Sequence, residues 1–384
     1  MTALFCTNGH VVADHGAGGD VVLTRAAIRL DGANIAAIDA AADPQPGEEV
    51  IDLAGGWLLP GFVDTQVNGG GGVLFNDAPD VDGIAAIGAA HARFGTTGFL
   101  PTLISDTPER IAIALSAVDA AIAAGVPGVL GIHVEGPFIN RARNGIHPAD
   151  RIRPLEPAML DLLCAPRRGI VLLTVAPECV APADLMRLAA AGVVLSAGHS
   201  DATYEQAMTG FTAGISGVTH LFNAMSPLTH RAPGLVGAAF DSDAVCGIIA
   251  DGLHVSAPAL RLAMKAIGPD RLMLVTDAMP GVGHAGDSFT LNGRTIRIVD
   301  GRCVDEHGTL AGAHLDMARA LRTMADLTGA DISSLSRMAS GTPAHFIGLG
   351  ARLGRLAPGM QADFAMLDAR LQPVQTWIAG QRRA

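Results

Sequence analysis

Four short apolar stretches each run into a side chain that can bind or serve a metal ion. They are Gly-Ile-His-Val-Glu135, Val-Val-Leu-Ser-Ala-Gly-His199, Val-Thr-His220 and Leu-Met-Leu-Val-Thr-Asp277. A strand buried on both faces reads as a continuous apolar run. A polar residue at its C-terminal end is delivered to one rim of a parallel sheet. Singly, each residue has an ordinary structural reading, because a strand-end Glu is often salt-bridged and a lone His is often a core residue. An unpaired buried carboxylate is costly, however, and a cation removes that cost. One Glu and two His on neighbouring strand ends suit zinc or a similar divalent ion with a position open to water. Asp277 beside them is placed to take a proton from that water.

Other residues flank this set. His133 lies two before Glu135, on the same side of the strand and one step deeper, and is expected to orient a ligand rather than to be one. His147, Arg231 and His254 fall in irregular stretches after the third, sixth and seventh apolar runs. Each reads equally as a solvated loop residue or a substrate donor. An Arg fork suits a phosphate or carboxylate.

The elements that must position these residues alternate. Apolar runs at 61–67, 97–103, 129–134, 170–175, 193–197, 217–221, 246–250 and 272–276 are separated by amphipathic stretches at 82–94, 108–124, 182–191, 204–213 and 257–267. The stretch 225–243 reads as less regular. Eight strands alternating with helices predict an α/β fold, a (β/α)8 TIM-like barrel whose site lies at the C-terminal strand ends. A doubly wound sheet would require a G-x-G-x-x-G turn, and the Gly69–Gly72 run lacks that spacing. Residues 1–60 carry short strands at 21–30, 34–38 and 50–53, and the end of the chain repeats that texture at 363–367 and 376–379. The expected organisation is a small β-sandwich domain of residues 1–60 plus 350–384 around a catalytic barrel of 61–349.

Composition narrows the class. The 384 residues are 49% hydrophobic but only 4% aromatic, so the core is built from small and branched aliphatics. A net charge of −11 argues against nucleic-acid binding, which needs a basic face. Five dispersed cysteines without a C-x-x-C pair read as thiols of a reducing compartment. Neither a signal peptide nor a membrane span is evident, and a cytoplasmic location is expected.

The motifs resemble the amidohydrolase superfamily and, within it, the N-acetylglucosamine-6-phosphate deacetylase family. The similarity runs through Leu-Pro-Gly-Phe-Val-Asp-Thr-Gln66-Val-Asn68, His-Val-Glu135-Gly-Pro-Phe-Ile-Asn, Ser-Ala-Gly-His199-Ser-Asp-Ala-Thr, Thr-His220-Leu-Phe-Asn-Ala-Met, Arg231-Ala-Pro-Gly-Leu-Val-Gly and Ala-Asp-Gly-Leu-His254. The resemblance implies that Glu135, His199 and His220 hold the metal and that Asp277 is the acid/base. It implies that Asn223 and Ala224 hold substrate, that Arg231 and His254 contact the sugar phosphate, and that His147 lies at the acetamide carbonyl. Leu310, Ala311 and Gly312 match a loop closing over the N-acetyl group. Many superfamily members carry His-x-His where this chain has Gln66 and Asn68, a vestigial second-metal position, so one metal per subunit is expected. Zn2+ is the first candidate, with Fe2+, Co2+ or Mn2+ also compatible. Relatives are typically homodimers, and Arg231 is the candidate to reach a neighbouring site. The implied reaction is hydrolysis of N-acetylglucosamine 6-phosphate to glucosamine 6-phosphate and acetate in amino-sugar catabolism. N-acetylgalactosamine 6-phosphate is the alternative substrate, and a non-catalytic barrel scaffold the remote one.

Overall fold

The computed structural model of the chain describes residues 2–14, 20–41 and 43–384. Eight parallel strands follow one another in sequence order around a barrel: β1 (Phe62–Val67), β2 (Thr96–Ile104), β3 (Gly131–Glu135), β4 (Ile170–Val175), β5 (Val194–Ala197), β6 (Ile215–Val218), β7 (Val245–Ile248) and β8 (Leu272–Leu274). All nine residues of β2 and all six of β1 are buried, the polar Asp64, Thr65 and Gln66 of β1 included. Gly131 opens β3 because a Cβ there would lie 2.0 Å from the Ile170 carbonyl oxygen of β4. The ring closes between β8 and β1. Asp277 N donates to Gln66 O at 3.0 Å, and Val67 bridges Ala278. This closure excludes the doubly wound alternative.

The helices follow local signals. Pro108–Ala123 is capped by Thr107 and buries Ile111, Ala114, Leu115 and Val118 at helical spacing, while Tyr204–Thr212 opens with a Thr203/Gln206 capping box. The stretch 225–243, expected to be irregular, contains the helix Gly234–Asp241. It is apolar on nearly every side and six of its eight residues are buried, so it carries no polar face to reveal a period.

Strands from the two chain ends interleave. The six-stranded sheet runs Gln381–Arg382, Pro373–Ile378, Phe364–Leu367, Trp57–Pro60, His10–Asp14, Asp20–Leu23; the four-stranded one runs Asn34–Ala40, Ala26–Asp31, Thr2–Thr7, Glu49–Asp52. They enclose their own core of Leu4, Val11, Ile28, Leu58, Phe364 and Trp377. The run expected at 21–30 breaks after Leu23, and its halves belong to different sheets. A further antiparallel sheet of Ser288–Leu291, Arg294–Val299, Arg302–Val304 and Leu310–Ala313 follows β8, where no strands were expected.

The barrel seam holds an unusual carboxyl. Asp64 is fully buried, accepting from Thr276 Oγ1 at 2.5 Å and from the backbone N–H groups of Gln66 and Thr276. Burial pushes it up to about 7, against those hydrogen bonds. The unfolded value is about 3.9. The folded chain therefore holds an extra proton between these values. The stability this contributes is fully present below pH ~4 and is lost as pH rises through about 7. An Asp64→Asn variant is expected to lose less of its denaturant midpoint between pH 5 and 8 than the parent chain. Equal losses would show that this carboxyl does not titrate as described.

Candidate metal centre and active site

Glu135 is the last residue of β3, whereas His199, His220 and Asp277 lie two or three residues beyond β5, β6 and β8. These three adopt left-handed backbone angles, φ +48°, +34° and +50°. Each such residue costs about 1–3 kcal/mol, and the turn is held against that cost by the closed barrel beneath.

Three donor atoms converge. Glu135 Oε1 lies 3.2 Å from His199 Nε2 and 3.0 Å from His220 Nε2, and the two nitrogens are 3.0 Å apart. Donors bound about 2.0 Å from one tetrahedral ion sit about 3.3 Å from each other, so the spacing fits a single cation. Among the described residues this trio is the one buried cluster of metal-binding type. Burial disfavours the Glu135 charge, but both imidazoles hold its carboxyl well below the usual range.

What meets Nδ1 decides what each histidine offers the cavity. His199 Nδ1 lies 2.9 Å from the Arg143 carbonyl oxygen and donates to it, which leaves Nε2 with a lone pair aimed at the trio. His147 is the reverse case. Its Nδ1 accepts from the Ser105 backbone N–H at 3.3 Å and lies 2.7 Å from Ser105 Oγ, so its proton sits on Nε2. Burial and the neighbouring His199 push His147 down to about 3, keeping the ring neutral. His147 is thus an N–H donor, 3.9 Å from Glu135 Oε2. Gly136 is needed between them, since a Cβ there would lie 2.3 Å from Ser105 Oγ.

Gln66 and Asn68 are present at the end of β1 as hydrogen donors. Gln66 Nε2 donates to Glu135 Oε1 at 3.1 Å and to Asp277 Oδ1 at 3.3 Å; Asn68 Nδ2 donates to the same Asp277 oxygen at 2.6 Å. One amide nitrogen therefore touches both carboxylates. Burial, followed by the Glu135 charge, raises Asp277 to about 6, with His220, His254 and the Asn68 hydrogen bond acting the other way.

A cavity of about 180 Å3 opens over this centre. Its lining includes Asn68, Glu135, His147, His199, His220, Asn223, Ala224, His254, Asp277, Leu310 and Gly312, bringing together most of the residues expected from sequence. Two depart. Arg231 lies on an exposed loop outside this lining. Ala311 turns its methyl into the core beside Met279 and Leu291, because the expected loop is a strand whose alternate residues, Leu310 and Gly312, face the cavity. His133, expected to orient a ligand, instead bonds Thr102 and Thr174 below the centre.

Sequence reasoning missed three supports. Ser105 precedes Asp-Thr-Pro and reads as a helix-start signal. Glu178 binds Ser200 Oγ and Asp201 N, bracing the turn that carries His199. Asp251 holds His254, and Asp-Gly-Leu-His is a turn signal that pointed to it.

The chain is similar to known proteins over nearly all its length. The Amidohydrolase family profile matches residues 57–383. An N-acetylgalactosamine-6-phosphate deacetylase of Shewanella sp. (strain ANA-3) is 44% identical over 332 residues, covering 86% of this chain and 84% of the relative. An N-acetylglucosamine-6-phosphate deacetylase of Haemophilus influenzae is 36% identical over 362 residues, 94% of this chain and 95% of the relative. The crystal structure of the Pasteurella multocida N-acetylglucosamine-6-phosphate deacetylase superposes with a TM-score of 0.94 at 34% identity, covering 100% of both chains. Matches of this extent, together with the buried Glu-His-His trio, assign the chain to the amidohydrolases and, within them, to the metal-dependent N-acetylhexosamine-6-phosphate deacetylases.

Proposed function

We propose that this chain hydrolyses N-acetylglucosamine 6-phosphate to glucosamine 6-phosphate and acetate. The observation that carries the chemistry is the Gln66 amide nitrogen shared by Glu135 and Asp277, which sets a proton acceptor beside a cation-binding trio. Glu135, His199 and His220 would hold one divalent ion, with zinc the first candidate for this donor set. Such an ion polarises a carbonyl and lowers the pKa of water from about 15.7 towards about 7. Asp277 takes the proton of the attacking water and returns one to the leaving amine. His147 donates its Nε2–H to the acetamide oxygen. Asn223 and Ala224 hold the sugar, and Leu310 with Gly312 closes against the acetyl group.

A second substrate, N-acetylgalactosamine 6-phosphate, is favoured by the 44% identity to the Shewanella deacetylase of that sugar. Acetate release from both epimers decides the matter. A kcat/KM higher for the galacto sugar would replace the first reading, and no release from either would end both.

The cavity lining contains no Arg or Lys among the described residues. We propose that the chain works as a homodimer in which Arg231 reaches the neighbouring cavity to bind phosphate. Arg231→Ala is then expected to raise KM for the phosphorylated sugar about tenfold or more, with little change for the unphosphorylated one. Mixing Arg231→Ala chains with Asp277→Asn chains should restore activity, because some sites in the mixed dimers then receive both intact groups. No restoration would assign Arg231 to its own chain's site. No helix among the described residues is long and apolar enough to cross a membrane, and we take the cytoplasm as the working location.

A further inference from the structure

The Gly69–Gly72 run lies beside the cavity, between two residues that line it, Asn68 and Leu74. It folds as a hairpin of Gly69–Gly70 against Val73–Leu74. Side chains are excluded from it. A Cβ on Gly69 would lie 2.4 Å from the Val73 carbonyl oxygen, and one on Gly70 would lie 2.9 Å from the His91 ring. Gly71 and Gly72 hold φ of +62° and +86°. Four glycines in succession leave the backbone intrinsically loose, so its shape depends on what binds it. One side is laced to the segment that follows Asp277. Gly69 N donates to Ala278 O at 2.9 Å, Gly71 N to Val282 O at 2.7 Å and Gly72 N to Pro280 O at 2.8 Å. The other side rests on the last turn of the helix Val81–Ala92, where His91 Nε2 donates to Gly69 O at 2.9 Å. Just beyond, Arg93 donates to Gly283 O at 3.0 Å, so this helix end grips both partners of the clasp. His91 is fully buried, and its Nδ1 has no partner among the described residues. A buried imidazole with one nitrogen unpaired is a poor choice for filling space, and its use lies in the Nε2 bond.

We propose that His91 is a positioning residue: by pinning the glycine hairpin it holds Asn68 against Asp277 and so fixes the orientation of the base. Asn68 O accepts from Phe75 N at 2.8 Å, and the next two backbone groups, Gly69 N and Gly69 O, are held by Ala278 and His91. With the backbone fixed on that side, the Asn68 amide is delivered to Asp277 Oδ1 at 2.6 Å. Release of Gly69 O would let the hairpin turn about its glycine torsions, carrying Asn68 away from the carboxylate. His91 itself lies outside the cavity lining, so it acts on the reaction only through this chain of contacts. The inference rests on the reading of Asp277 as the base.

The test measures kcat, KM and metal content of the metal-loaded His91→Leu, His91→Gln and Gly70→Ala chains, and of Asn68→Ala with and without His91→Leu. The substrate is whichever N-acetylhexosamine 6-phosphate the parent prefers. His91→Leu is expected to lower kcat roughly ten- to hundredfold, as a misplaced catalytic group does, with KM within about twofold of the parent. Metal content should not change. Gln can place an N–H near the position of Nε2, so His91→Gln should recover most of the loss. Gly70→Ala keeps the imidazole but crowds it, and should also lower kcat at constant KM. In the Asn68→Ala background, His91→Leu should cost little further, because the two residues act in series. Four results would overturn the inference and leave His91 a packing residue: a His91→Leu kcat near the parent's, a loss shared with metal content, an equal loss in His91→Gln, or full additivity with Asn68→Ala. If His91→Leu fails to fold, Gly70→Ala alone and combined with Asn68→Ala is judged by the same kcat, metal and additivity criteria. Near-full turnover of Asp277→Asn would instead overturn the reading on which the inference rests.

Discussion

Asp277→Asn is expected to lower kcat by about 10²–10⁴ while leaving metal content and KM close to those of the parent enzyme. The size follows from what the side chain does and does not touch. Oδ1 is occupied by Asn68 Nδ2 at 2.6 Å and Gln66 Nε2 at 3.3 Å, while Oδ2 has no protein donor among the described residues. The occupied oxygen fixes the carboxylate plane and leaves Oδ2 to accept a proton. An Asn can still accept from Asn68 through its one carbonyl oxygen, so the turn survives, but the amide cannot take a proton. The trio is untouched, which is why metal retention separates loss of the base from loss of the site.

The pH profile carries an independent signature. Burial and the Glu135 charge raise the Asp277 carboxyl to about 6, and a bound cation pulls it back down. The base must be ionised, so the parent rate falls as pH drops through 6 or somewhat below. Residual activity of the Asn variant should lack that limb. Near-full turnover of a metal-loaded variant would remove Asp277 from the proton-transfer role.

The eight barrel strands and the convergence of Glu135, His199, His220 and Asp277 were legible in the sequence for one reason. Burial on both faces leaves most of these strands rich in apolar residues, and metal-binding side chains at their C-terminal ends mark the rim. What followed the strands was less legible. The sheet from Ser288 to Ala313 has strands such as Arg294–Val299 with mostly exposed residues, which read as a polar loop until their partners are known. That concealed the strand geometry at Leu310–Ala313, and with it the inward turn of Ala311. Two cavity histidines, His147 and His199, take opposite tautomers because one Nδ1 meets an N–H from Ser105 and the other a carbonyl from Arg143. These contacts span 42 and 56 residues, so no local pattern encodes them. Asp251 was the accessible omission, since a turn of Asp-Gly-x-His already places a carboxylate against its histidine.

The second large effect is expected from the metal itself. Treatment with a chelator should abolish acetate release, and adding back one equivalent of zinc per chain should restore it. The Glu135→Ala variant should bind the ion weakly and lose at least about 10³ in kcat/KM, because two neutral imidazoles then lack the charge that completes the trio. Thermal stability supplies a readout free of turnover: saturating ion at about 1,000 times its dissociation constant adds roughly 4 kcal/mol to a chain that binds it only when folded. The stoichiometry follows from the direction of two amides. Gln66 and Asn68 present N–H groups, not lone pairs, to Glu135 Oε1 and Asp277 Oδ1. A second cation at that end of β1 would face hydrogens where it needs electron pairs, and it would have to displace the bonds that orient Asp277. Elemental analysis should therefore count one ion per chain. A Gln66→His/Asn68→His variant should not gain activity with a second equivalent unless Asp277 is held by something else. Two tightly held ions in the parent enzyme would mean that the amides turn their oxygens inward, and the account of how Asp277 is fixed would fail with them.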